Sequence, residues 1–296
     1  MKIPGLNLSG YRLRLNRRLV MVQDAAKKAV RMMSGPSTAR PVHLRNDTYM
    51  ICCPARSGST MLVHLLRSHP QILSHGEVLG EKVAGLAGPL GHLARKDQAV
   101  HERVEDWRKR NPVFFLYNYI LDAHGQRAVG FKLKYDELVL PAYRDLMECV
   151  RDDVDLKIIF LDRENLLERY VSHHVAMHVT GVTLLTDSSK KPEVRPMKLD
   201  CQDMERNFRE QLARQDKFRE LFKAHRCVET TYERLTRDGR GEMRRIYEFL
   251  GVDRHDPSTA TQKILDSDMR SLVSNYTEVA AHFKGTRFET YFHKTA

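Results

Sequence analysis

An apolar run that breaks into small residues and resumes as an apolar helix is the strongest constraint on the fold. Tyr49-Met-Ile-Cys-Cys-Pro-Ala-Arg-Ser-Gly-Ser-Thr-Met-Leu62 carries it. Residues 57–60 have little side-chain bulk, so successive backbone N–H groups can turn toward one anion. The helix starting near Thr60 adds its unsatisfied N-terminal donors and the positive end of its dipole. Arg56 stands beside this nest, and its planar guanidinium can grip phosphate or sulfate oxygens in two places at once. The expected ligand carries a phosphate.

The loop of nucleotide triphosphatases reads G-x-x-x-x-G-K-[ST]. This segment has neither the first glycine nor the lysine that reaches the β and γ phosphates, which argues against a nucleotide kinase or GTPase. Pro54-Ala-Arg-Ser-Gly-Ser-Thr60 instead resembles the 5′-phosphosulfate loop of sulfotransferases that use 3′-phosphoadenosine 5′-phosphosulfate (PAPS). Further on, Leu156-Lys-Ile-Ile-Phe-Leu-Asp162 reads as a buried parallel strand with Arg163 at its end, followed by a helical stretch to His178 whose apolar face includes Leu166, Leu167, Tyr170, Val171 and Val175. Arg163-Glu-Asn-Leu-Leu-Glu-Arg-Tyr-Val-Ser172 is similar to the 3′-phosphate motif of the bacterial trehalose and Nod-factor sulfotransferase group, in which an Arg and a Ser nine residues later hold the 3′-phosphate. Both anion-binding candidates fall at carboxyl ends of predicted parallel strands, the edge where open α/β sheets bind ligands.

Three further stretches extend the resemblance to roughly residues 46–290, with 84–125 and 179–215 unmatched. Val129-Gly-Phe-Lys-Leu-Lys134 resembles that group's central strand, which implies an active-site role for Lys132. Glu229-Thr-Thr-Tyr-Glu-Arg-Leu235, with Ile246-Tyr-Glu-Phe-Leu-Gly-Val252, resembles a segment widespread among sulfotransferases and implies that Tyr232 lines the adenine site. His282-Phe-Lys-Gly-Thr-Arg287 is similar to a C-terminal element that closes over the 3′-phosphate, which implies a role for Lys284. By the same resemblance the cofactor-binding set is Arg56, Ser57, Gly58, Ser59, Thr60, Arg163, Ser172, Tyr232 and Lys284.

Sulfuryl transfer needs a base for the acceptor proton and cations near the oxygen that bridges sulfur to the 5′-phosphate. The segment Ser68–Leu79 is expected to be a loop after the first helix. The family places a glutamate after a glycine there, which Glu77 after Gly76 matches; His75 is the rival, favoured by the ordinary pKa of imidazole. Glu77 is preferred, with Arg56 and Lys132 as the cations.

Strand patterns near 48–53, 128–134, 156–162 and 226–232, each followed by helical patterning, predict a three-layer α/β sandwich around a mostly parallel sheet. Mainly helical stretches at 80–125 and 180–225 are expected to cap the ligand edge, and Gly85–Gly91 reads as a flexible loop. Residues 46–296 form the expected catalytic domain.

The 296 residues carry a formal net charge of +11, 42% hydrophobic and 29% charged residues, ordinary for a globular chain and suited to anionic ligands, nucleic acid or an acidic membrane surface. A basic nucleic-acid or anionic-surface binding protein is therefore the alternative from another class. Against it, the relevant basic residues fall at strand ends and aromatic-plus-basic RNA-binding motifs are absent. Five cysteines without a C-x-x-C suggest a reducing compartment, and no metal site is implied; His174 and His178 read as surface or acceptor-site residues. No apolar run is long enough to span a membrane, and no secretory signal is visible, so a cytoplasmic location is expected.

Residues 1–45 read as a separate basic amphipathic extension. Leu8, Tyr11, Leu15, Leu19, Val22, Ala26, Ala29 and Met33 recur at helical spacing, with Arg14, Arg17, Lys27, Lys28 and Arg31 on the other side. Such a helix either lies on an anionic bilayer or packs on its own domain or a twin subunit, making a homo-oligomer. The resemblance implies a carbohydrate or glycolipid acceptor.

Overall fold

The computed structural model describes residues 47–293, apart from 183, 188, 190, 262–264, 266 and 267. The amphipathic pattern over residues 8–33, and the domain boundary near residue 45, lie outside the described residues.

Five strands form one sheet: β1 (Asp47–Cys53), β2 (Ile72–Glu77), β3 (Ala128–Lys134), β4 (Lys157–Asp162) and β5 (Cys227–Thr231). Their order is β2-β3-β1-β4-β5 and every pairing is parallel. The expected α/β sandwich is therefore observed, with β1 at its centre. Both sides of β1 are covered, so its six residues from Thr48 to Cys53 are all buried and read as a continuous apolar run. Tyr49, Ile51 and Cys53 face one layer, where α1 (Ser59–Arg67) packs through Leu62, Val63 and Leu66. Met50 and Cys52 face the other, with Phe131, Leu133, Ile158 and Phe160. None of the five cysteines forms a disulfide.

Among the described residues the connections supply seven further α-helices of eight residues or more: α2 (Gly88–Lys96), α3 (Gln98–Arg110), α4 (Arg144–Asp152), α5 (Leu166–His174), α6 (Cys201–Leu221), α7 (Gly239–Leu250) and α8 (Tyr276–Phe283). The stretch expected to be a loop at 85–91 is helical from Gly88, because Pro89 is pre-set for a first helical turn. Within the predicted cap at 180–225, Cys201–Leu221 is helical as α6. A third apolar cluster joins α5, α6 and α8 through Leu167, Val171, Phe208, Val279 and Phe283. It fixes the helix that follows β4.

The expected loop at 68–79 is corrected by the structure. Ile72–Glu77 is a strand, paired with β3 at Ile72↔Ala128, Leu73↔Val129 and Ser74↔Gly130. Its register then shifts, so Glu77 lies opposite Lys132. Three residues of β2 span two of β3, a bulge of the kind that re-aims a side chain at a sheet edge. That one extra residue explains why strand alternation is not visible in Ile-Leu-Ser-His-Gly-Glu.

Candidate functional site

The loop after β1 is shaped by two left-handed residues, Arg56 at φ 66° and Gly58 at φ 82°. For arginine this conformation costs on the order of 1–2 kcal/mol, which surrounding contacts must offset. One such contact is the buried Ser57 hydroxyl, which donates to Pro54 O at 3.0 Å. Ser57 thus contributes backbone, not its hydroxyl, to the loop interior. Gly58 is the N-cap of α1 and no side chain caps the helix. A Cβ on Gly58 would come within 2.5 Å of Tyr232 Cδ2, so the tyrosine ring lies directly on the loop.

Arg163 leaves the end of β4, buttressed by the buried Asp162, which accepts from Tyr135 at 3.1 Å, Gln215 at 2.8 Å and Arg219 at 2.7 Å. The Arg163 guanidinium sits 4.7 Å above the Tyr232 ring centroid and pairs with Glu168 at 2.5 Å. Its Nε is buried without a hydrogen-bond partner. Asn165 caps α5 by accepting from the Glu168 N–H, so the helix starts at a fixed distance from Arg163. Ser172, two turns on, accepts from Arg56 Nε at 3.1 Å. Arg56 and Ser172, expected at the two ends of one nucleotide, are joined directly in the structure. Burial lowers the Arg56 pKa, the nearby Arg163 lowers it further, and Glu77 opposes both. Two guanidiniums sharing one site is an arrangement that an anion relieves.

One cavity of 660 Å³ joins these groups to the end of β2 and β3. It is lined by Arg56, Gly58, Ser59, Thr60, Glu77, Lys132, Arg163, Ser172 and Tyr232 of the predicted set. Glu77 accepts from Lys132 at 2.6 Å and from Lys134 at 2.9 Å, and Lys132 also donates to Thr60 Oγ1 at 3.4 Å. Burial alone would raise the Glu77 carboxyl, but the two lysines outweigh it and hold it below the ordinary carboxylate range. Five basic lining residues, Arg56, Arg67, Lys132, Lys134 and Arg163, face three acidic ones, Glu77, Asp136 and Glu168. The excess favours an anionic occupant.

Three predicted residues do not line it: Ser57, buried within the loop with its hydroxyl on Pro54 O, and two that lie elsewhere. Lys284 is exposed past the end of α8 and does not line the cavity. His75 is turned into the protein by the bulge, 2% exposed, with Nδ1 accepting from the Ala87 N–H at 3.1 Å. Burial, then the charges of Arg67 and His124, lower its pKa to about 3. This has a consequence for stability. The unfolded chain takes up a proton near pH 6.5 that the folded chain refuses, so the contribution of His75 is complete above about pH 6.5 and falls away as pH drops toward about 3. Relative to His75→Gln, whose amide oxygen can also accept from Ala87, the parent is expected to lose about 2 kcal/mol more stability between about pH 7 and pH 5. Urea unfolding at the two pH values measures it; parallel losses in both proteins would show that His75 is not kept neutral by the fold.

The cavity also holds His64, Arg67, Lys134 and His173, which the sequence reading did not single out. Their signal was present: His64 and Arg67 lie four and seven residues after Thr60, on one helix face, and Lys134 is on the same strand face as Lys132. Burial, then Arg67 and Lys132, lower the His64 pKa, which leaves it neutral at physiological pH. Neither His174 nor His178 lines the cavity; their rings lie 4.8 Å apart. Among the described residues there is no cluster suited to a metal ion.

A search of curated proteins finds no match to this sequence. Among solved structures, the chain is similar to a sulfotransferase from Alicyclobacillus acidocaldarius at 17% identity and a TM-score of 0.42, with 86% of this chain and 98% of that one covered. The sulfotransferase domain of the Synechococcus PCC 7002 olefin synthase aligns at 18% identity and a TM-score of 0.44, covering 84% and 90%. A mouse sulfotransferase complexed with PAP aligns at 16% identity and a TM-score of 0.36, covering 85% and 76%. Residues 155–256, which include β4, Arg163, Ser172, β5 and Tyr232, match the model described as the sulfotransferase family, and over that stretch the chain is similar in sequence to that family.

Proposed function

We propose that the protein transfers a sulfuryl group from PAPS to a hydroxyl of a carbohydrate or glycolipid acceptor. The observation that carries this reading is that one cavity gathers an uncapped helix N-terminus, two neighbouring guanidiniums and a carboxylate held by two lysines. The loop amides at residues 57–60 are suited to the 5′-phosphate. Arg163, whose buried Nε makes no hydrogen bond and faces Glu233 at 4.0 Å, and Ser172 are suited to the 3′-phosphate. Tyr232, packed on Gly58, presents its ring at the nucleotide side. Lys132 is the cation for the oxygen that bridges sulfur and phosphorus, and Glu77 is the base.

In the transfer, Glu77 takes the acceptor O–H proton, the acceptor oxygen bonds to sulfur, and the bond from sulfur to the bridging oxygen breaks. The departing group is 3′-phosphoadenosine 5′-phosphate (PAP), whose new negative charge Lys132 and Arg56 stabilise. As Lys132 turns toward that oxygen it draws away from Glu77, which raises the carboxylate's proton affinity when the proton must be taken. Nucleic-acid or anionic-surface binding is not favoured, because the basic residues concerned line a cavity. No helix among the described residues is long and apolar enough to cross a membrane.

Thermal melting with nucleotides tests the assignment. PAP at about 100 times its Kd is expected to add about 2.7 kcal/mol of stability, a rise of roughly 4–5 °C in Tm for a chain of this size. AMP at the same concentration, lacking the 3′-phosphate, should give less than half that rise. Equal stabilisation by AMP would remove Arg163 and Ser172 from the proposed phosphate site.

A further inference from the structure

The cavity has a second character beyond its cationic end. Past Ser172, helix α5 runs into a wider π-helical turn at Val175–Thr180, ended by Gly181 at φ 67°. Single π turns of this kind are frequently found at functional sites. Met177 lies five residues beyond Ser172 on this segment, about 7 Å along the axis from the Arg56 contact at a rise of about 1.5 Å per residue. It lines the cavity yet is 61% exposed, and Leu184, also in the lining, is 45% exposed. Leu185, Leu265 and Met269 continue the same wall. Of the six large hydrophobic side chains exposed among the described residues, Met177, Val179 and Leu184 cluster in this one segment.

Two solvent-exposed apolar side chains, Met177 and Leu184, share a cavity with a charged reaction centre and with the buried Leu185 and Leu265, an arrangement suited to an amphiphile. These thioether and branched aliphatic side chains offer a hydroxyl-rich sugar no hydrogen bonds, whereas the exposed Met177 and Leu184 gain from contact with hydrocarbon. The two methionines can adapt to chains of differing shape.

We propose that the acceptor carries its reactive hydroxyl next to a hydrocarbon portion, which lies on the wall formed by Met177, Leu184, Leu185, Leu265 and Met269 while the hydroxyl reaches Glu77. The substrate is thus a lipid-linked alcohol, not a free sugar. This rests on the sulfotransferase reading and narrows its acceptor class. The hydrocarbon portion contributes binding energy remote from the reacting atoms, which holds the hydroxyl in line with sulfur.

The test uses the full chain saturated with PAP and measures the affinity of methyl, hexyl and octyl β-glucosides below their micelle concentrations by calorimetry. Affinity is expected to rise about twofold to fourfold per added methylene, the upper figure corresponding to full burial. The double substitution Met177→Ser with Leu184→Ser should flatten this dependence while leaving PAP affinity unchanged, and Met177→Leu should preserve it. Equal affinity for methyl and octyl glucoside, or a chain-length dependence that survives the double substitution, overturns the inference while PAP binding leaves the sulfotransferase reading intact. Failure to bind PAP at all overturns both.

Discussion

Arg56→Ala is expected to weaken PAP binding by about 30-fold to 1,000-fold, the range for losing 2–4 kcal/mol of charge-assisted hydrogen bonding. The same change should leave the melting temperature of the ligand-free protein unchanged or raised. The reason is the sign of the local electrostatics: Arg56 is partly buried and its charge is opposed by Arg163, while the left-handed backbone costs alanine as much as arginine. A side chain maintained for packing would do the opposite, costing stability when truncated. Arg56→Lys should recover little of the loss, since an ammonium cannot form the two parallel bonds of a guanidinium or keep the Nε contact to Ser172. Calorimetric titration with PAP alongside ligand-free melting separates the outcomes. Loss of stability without loss of affinity would make Arg56 a strut between the loop and α5.

How far the site could be read in advance depended on what each residue's neighbours are. Strands β1, β3 and β4 are covered on both faces, so their apolar composition announces them. β2 pairs only with β3 and carries the bulge, so Ser74, His75 and Gly76 interrupt the pattern and the segment reads as a loop. The same bulge decides between Glu77 and His75, turning one into the cavity and the other into the protein, and no local pattern encodes that choice. Arg56, Arg163 and Ser172 were legible because each stands beside a strand end or on the helix that follows one. Their actual partners were not: the Arg56–Ser172 bond closes 116 residues of chain. Lys284 lies outside the cavity for the complementary reason. The cluster that joins α8 to α5 and α6 fixes where the helix ends, and that end leaves the lysine in solvent.

Glu77→Gln is expected to cut the turnover number by about 10²-fold to 10⁴-fold, the usual worth of a general base. PAP affinity should hold or improve, because removing the carboxylate frees Lys132 for the phosphate oxygens. That opposite movement of two observables is what a purely structural carboxylate would not give. Some loss of ligand-free stability is also expected, since Lys132, only 4% exposed, loses its closest counter-charge. Bound PAP should restore most of it. The pH profile then identifies the base. Lys132 and Lys134 hold the Glu77 carboxyl below its ordinary range, so the parent's rate should stay level as pH falls from 7 to about 5 and decline only in the carboxylate range. His64, a neutral imidazole placed near Lys132, is the rival proton acceptor, and as the base it would give a decline beginning below about pH 6.5. A level profile that disappears in Glu77→Gln assigns the proton to Glu77. A decline in the imidazole range that His64→Asn abolishes assigns it to His64 and makes Glu77 the group that positions Lys132.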